Sequence, residues 1–189
     1  DHHLGGVDWD TALAEYMLGA FNEQNGTSYS LDDNKMLKYQ LLNLAETKKK
    51  LLTAKTKVNV NINWEGQSAR FEITRELFDA LPADKLNETI DATRKILDIA
   101  REKGFDKIDE DVLVGGSSRM PQIKERVDAE FGVDAKLTDP DECVAKGAAI
   151  YAMNEAYRQA VEDYENGDAD ELPKKLNCER TNVMNVTSK

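Results

Sequence analysis

Residues 112–121 read Val-Leu-Val-Gly-Gly-Ser-Ser-Arg-Met-Pro. Val112-Leu113-Val114 is a short apolar run with the pattern of a fully buried strand. It breaks at Gly115-Gly116, and Pro121 stands where the first turn of a helix begins. Two residues without Cβ let a ligand approach backbone N–H groups, and the following helix directs its positive end to the same place. Strand, glycine pair and helix in that order make the layout of a phosphate or sugar cradle at the carboxyl end of a strand. The same order also serves as a plain tight connection. The rest of the chain decides between the two.

Downstream, Ile123, Val127 and Phe131 mark a helix that Gly132 closes. A brief extended piece, residues 134–137, leads through Asp139-Pro140 into a helix from about Glu142. Ala145, Gly147, Ala148 and Ala149 make one side of that helix small, which predicts close packing on a neighbouring helix or sheet. From about Glu162 the chain turns acidic, with Gly167 and Pro173 interrupting it, the reading of a fraying helix end and a linker.

Upstream, the clearest local signal is a half-buried hairpin. Val58, Val60 and Ile62 alternate with polar residues, as do Ala69, Phe71 and Ile73 beyond Trp64-Glu65-Gly66-Gln67. Thr74 is placed to cap a short helix carrying Leu77, Phe78 and Leu81, and Pro82 to open a long one ending at Gly104 with Leu86, Ile90, Leu97 and Ala100 near one face. Before the hairpin, Asp8 caps a helix with Leu13, Met17 and Phe21 on one face, ended by Asn25-Gly26. Asp32 or Asp33 caps a second helix to about Thr53, whose stripe is Leu37, Leu41, Leu44 and Leu51, with Lys48 on it. The pattern is α+β: a helix–hairpin unit inserted before a βαβα piece.

The composition narrows the function. A formal net charge of −11 over 189 residues disfavours nucleic acid and anionic membrane as partners. No apolar run approaches the about 20 residues that span a bilayer. Cys143 and Cys178 have no spacing for a metal or redox site and read as reduced thiols of a cytoplasmic protein. Asp1 to Gly6 resembles neither a signal nor a transit peptide and reads as an internal stretch of a longer protein.

Three segments carry a resemblance. His-Leu-Gly-Gly-Val-Asp-Trp-Asp at 3–10, the 112–121 segment, and Asp139-Pro140-Asp141-Glu142 with Ala145-Lys146-Gly147-Ala148-Ala149 are similar, in order and spacing, to landmarks of the DnaK/heat-shock-70 chaperones. The likeness spans roughly residues 3–154 and implies the C-terminal lobe of that family's actin-like (ribonuclease H-like) ATPase domain. It implies a partial ATPase-core subdomain at 1–7 and 82–160, the helix–hairpin subdomain at 8–81, and an acidic linker with the start of a downstream domain at 161–189, where Val183 and Val186 begin a strand.

By the same resemblance the lobe holds the adenosine part of ATP or ADP. Gly6, Gly115 and Gly116 are the glycines that approach phosphates and ribose, and Glu46 and Lys49 hold the ribose hydroxyls. Lys50 and Arg119 sandwich the adenine ring, Thr53 and Ser117 contact the base, and Asp141 lies near the ribose. Lys50 stands where most relatives carry arginine, which weakens the clamp, and Val7 stands where an acidic residue is common. Asp139 replaces a usual asparagine.

The resemblance places the magnesium, the phosphate cradle and the catalytic water on the other lobe, so the chain alone is expected not to hydrolyse ATP. The implied partners are the N-terminal lobe, a downstream peptide-binding domain and a nucleotide-exchange factor on residues 8–81. Strands that precede residue 1 in the family complete its sheet, so Val112–Val114 is expected at an unpaired edge and the chain to self-associate there. A protein-interaction lobe with a degenerate nucleotide pocket is the alternative. A sugar-kinase or filament type of actin-like ATPase fits the glycine pair but not the insert with Glu46, Lys49 and Lys50.

Overall fold

The computed structural model describes residues 5–81 and 83–174. Two helices, α1 (Gly6–Asn25) and α2 (Lys35–Leu52), precede a hairpin of β1 (Lys57–Trp64) and β2 (Gln67–Thr74). Helices α3 (Arg75–Ala80) and α4 (Ala83–Glu102) follow, then β3 (Val112–Leu113), a 3-10 turn (Gly116–Arg119), α5 (Pro121–Phe131), β4 (Lys136–Leu137) and α6 (Cys143–Asn166).

The caps of α1 and α2 differ from expectation. Gly5 is the N-cap of α1, and Asp8 lies at the third helical position, where its Oδ2 accepts the Gly5 N–H at 2.9 Å. That bond, with Lys85 on α4 at 3.2 Å, holds the Asp8 carboxyl below the usual range. In α2 the cap is Asn34, whose Oδ1 accepts from the N–H groups of Met36 and Leu37 at 2.9 and 3.2 Å. Asp33 instead takes the Ser30 N–H, and Asp32 pairs with Lys38.

The stripe of α2 is Leu37, Leu41, Ala45 and Leu52, not Leu44 and Leu51. A 3.6-residue period over this length turns Leu51 out to 39% exposure and puts Lys48 on the shoulder. α1 meets the expectation, with Leu13, Met17 and Phe21 fully buried.

The hairpin runs in register from Lys57 opposite Thr74 to Trp64 opposite Gln67. Glu65 (φ 48°) and Gly66 (φ 79°) are both left-handed, the two-residue type I′ turn that suits the strand twist. Val58, Val60, Ile62, Ala69 and Ile73 face α1 and α2. The Thr74 hydroxyl accepts the Leu77 N–H and caps α3 as expected, and Phe78 packs on Trp9 with ring centres 5.7 Å apart.

Residues 83–174 bury far less. Ile90 is the one buried residue of α4. β3 pairs in parallel with β4 over two residues, and among the described residues no third strand joins them. With a strand on one side only, Val112 and Leu113 are half-buried and Val114 is exposed, so the expected fully buried strand is not found.

Ala145, Gly147, Ala148 and Ala149 are also exposed, and no residue of α6 is buried. The predicted close packing of that small face therefore does not occur within the described residues. α6 continues through the acidic run to Asn166, where Gly167 (φ 84°) ends it. The expectations placed on Pro82, Cys178 and the strand at Val183 and Val186 lie outside the described residues. Among the described residues no helix is long and apolar enough to cross a membrane.

Candidate functional site

Three backbone segments meet where the helix–hairpin unit joins the remainder of the chain. The N-terminus of α1 brings Gly6, the last two turns of α2 bring Glu46, Lys49, Lys50 and Thr53, and the 3-10 turn brings Gly116, Ser117, Arg119 and Met120. Asp141, in the turn before α6, completes the lining of a cleft of about 500 Å³. Nine of the ten candidates from the sequence line this one cleft.

Gly115 is the candidate that does not. Its φ of 91° lies in the region that favours glycine, and its N–H donates to the Pro140 carbonyl at 3.0 Å. Its own carbonyl accepts from the Ser118 N–H at 3.1 Å and from the Ser118 hydroxyl. Gly115 therefore bends β3 into the 3-10 turn and ties that turn to the one before α6. The 3-10 turn also separates the glycine pair from α5, which Pro121 opens with Met120 as its cap. The helix end next to the glycines is thus this short turn, not α5.

Each exposed cation on the cleft has a carboxylate beside it. Lys50 donates to Glu46 at 2.7 Å, and Arg119 pairs with Asp141. The hydrogen bond and charge of Lys50 hold the Glu46 carboxyl below the usual range, and Glu46 raises the lysine in return. The Thr53 hydroxyl donates to the Lys50 carbonyl at 2.7 Å, which leaves its oxygen as an acceptor.

Lys49 behaves differently from the pairing expected of it. Its ammonium donates to the Gly6 carbonyl at 2.9 Å and to Asp10 Oδ2 at 2.8 Å, with both side chains only 13% exposed. A Cβ on Gly6 would stand 3.1 Å from Lys49 Nζ, so a side chain there would make the ammonium give by a few tenths of an ångström.

Two features escaped the sequence reading. Met120, 3% exposed, lines the cleft, and only its place before Pro121 marks it. Asp10 lies in the 3–10 segment, but helical spacing put it on no particular face. Asp139 (φ 37°) accepts the Glu142 and Cys143 N–H groups on its carbonyl and turns the chain into α6. Val7 is 72% exposed. Among the described residues no cluster of His, Cys, Asp or Glu is set to hold a metal ion.

A helix–hairpin unit joined to a short βαβα piece, with a cleft at the junction, makes a mixed α and β lobe. The chain belongs to the Hsp70 family, whose model, described as Hsp70 protein, matches residues 1–177. The chaperone protein DnaK of Anaplasma marginale (strain St. Maries) is 35% identical to it over 158 residues, which are 79% of this chain and 24% of that protein. The chain thus spans about a quarter of the length of that curated relative. Membership implies the actin-like ATPase fold, and the mixture of helices with small sheets is in keeping with it.

Proposed function

We infer that this chain is the adenosine-binding lobe of an Hsp70-type molecular chaperone, the C-terminal half of its ATPase domain. The observation that carries the reading is the convergence of nine candidate residues, drawn from four separate segments, on one cleft. Its volume of about 500 Å³ falls within the about 300–1,000 Å³ usual for small-molecule sites.

The residues suit the ligand. Lys50 and Arg119 supply cations for the two faces of adenine, each able to exchange its carboxylate contact for the ring. Glu46 offers acceptors to ribose hydroxyls, Lys49 a donor, and the bare backbone at Gly6 and Gly116 room for close approach. Thr53 and Ser117 are the polar contacts to the base, and Asp141 lies beside the ribose. In the whole protein, ATP binding and hydrolysis would shift the lobes and gate a peptide-binding domain, with magnesium held mainly by the other lobe. An exchange factor would grip residues 8–81. No catalytic residue is assigned to this chain.

A second reading is an interaction lobe whose pocket has degenerated. It is favoured by Lys50, a weaker stacking partner than arginine, and by the exposed apolar Val7.

Thermal unfolding with and without ADP, adenosine and guanosine separates the two. Native-state binding at 100 times the dissociation constant adds about 2.7 kcal/mol, a rise of several degrees for a chain of this size. The adenosine reading expects a rise with the adenine ligands alone, lost in Arg119→Ala. No rise with any of them transfers the case to the interaction lobe.

A further inference from the structure

Asp10 is 9% exposed, on the first turns of α1, and does not line the cleft. One carboxylate oxygen, Oδ2, accepts from Lys49; the other, Oδ1, is buried and has no partner among the described residues. An orphaned buried oxygen costs free energy, so a side chain chosen only for stability would not be placed this way. The Lys49 ammonium carries three protons, of which Gly6 O and Asp10 Oδ2 take two. Lys49 lines the cleft, so the third remains for a ligand.

We propose that Asp10 is a positioning residue: it holds the Lys49 ammonium at the cleft wall so that the remaining N–H meets the sugar hydroxyls of a bound nucleoside. The inference rests on the adenosine reading above. A lysine side chain free of such a partner samples many rotamers, and ordering it on binding would weaken the contact. Asp10 and the Gly6 carbonyl order it in advance, from two points on the same helix end. Gly6 is part of the device, since a side chain there would press on the ammonium.

The test is titration calorimetry of the whole chain with adenosine and with 2′,3′-dideoxyadenosine, well below the thermal midpoint and with folding checked by circular dichroism. The chain should bind adenosine about tenfold or more tightly than the dideoxy analogue, the worth of a charged hydrogen bond. Asp10→Ala should lower that preference as far as Lys49→Met does, and the double variant should lose no more than Lys49→Met alone. Asp10→Asn, which keeps volume and an acceptor but not the charge, should lose part of it.

A merely structural Asp10 would weaken both ligands together and leave their ratio intact, which overturns the proposal. So would equal binding of the two ligands by the unaltered chain, although the adenosine reading would then stand. Failure of both Asp10 variants to fold would also overturn it, by assigning Asp10 to the fold. Absence of binding by either ligand would defeat the adenosine reading itself, and this inference with it.

Discussion

The guanidinium of Arg75 lies on the carbonyl of Leu52, Nε to O at 2.9 Å, and so joins the end of the hairpin to the end of α2. Its Nη2 also donates to the carbonyls of Thr53 and Lys55 at 3.2 and 3.1 Å. The Leu52 and Thr53 carbonyls stand at the C-terminal end of α2, where a helix leaves carbonyls without partners and a cation suits its dipole, and Lys55 lies just beyond it. Lys50 and Thr53 sit on the turn that Arg75 holds.

Arg75→Ala should therefore loosen the cleft wall as well as the fold. Losing a charged donor to several carbonyls should cost about 1.5–3 kcal/mol, measurable as a lower midpoint in urea unfolding. Adenosine affinity should fall several-fold at temperatures where the variant is still folded. An unchanged urea midpoint would show that water replaces the guanidinium without loss.

Gly6→Ala separates space from stability. Gly6 opens α1, where alanine is the better helix former, so the thermal midpoint should hold or rise slightly. The added Cβ meets Lys49 Nζ at 3.1 Å and Ser117 Oγ at 3.7 Å on the cleft wall. Calorimetry should find adenosine binding several-fold weaker in a chain that is no less stable. Equal affinity would mean that the ammonium yields at no cost.

Lys50→Arg should strengthen adenine binding. Guanidinium stacks on a ring face better than ammonium does and still reaches Glu46 one turn away. A gain of a few-fold for adenosine, with none for ribose alone, is the expected result of competition titrations. A gain for both would point to simple charge attraction.

Asp128 should contribute to the acid sensitivity of the fold. Lys124 bonds its carboxylate at 2.5 Å and the Ala135 N–H bonds it at 2.8 Å, and in that order they hold it below the usual aspartate range. A carboxyl lowered in the folded state adds stability that is complete above its unfolded value and disappears as pH falls through the folded one. Urea midpoints of the chain and of Asp128→Asn should differ at neutral pH and converge from about pH 4 downward. A constant gap across that range would assign the effect to shape rather than charge.

Much of the cleft could be read in the sequence because its residues sit near backbone signals. Gly-Gly before Pro121 marks one wall, and the alternation around Trp64-Glu65-Gly66-Gln67 sets where α2 must end. What the sequence hid depended on small offsets. Asn34 rather than Asp32 or Asp33 caps α2 because only it stands directly before the first helical residue. The drift of the 3.6-residue period moved burial from Leu44 to Ala45, and with it turned Lys49 toward Asp10. The small face of α6 shows the limit of composition, since small side chains permit close packing without supplying the surface to pack on.

The unequal core has a kinetic meaning. Most of the buried apolar residues lie from Trp9 to Phe78, whereas among the described residues 83–174 little is buried beyond Ile90, Met120 and Ala135. Amides of α1 and the hairpin should then exchange with deuterium only when the unit unfolds as a whole, and those of α6 by local opening. The cleft is cut across that boundary. Any molecule seated there rests against one jaw that seldom breathes and another that opens often, and its escape follows the looser jaw.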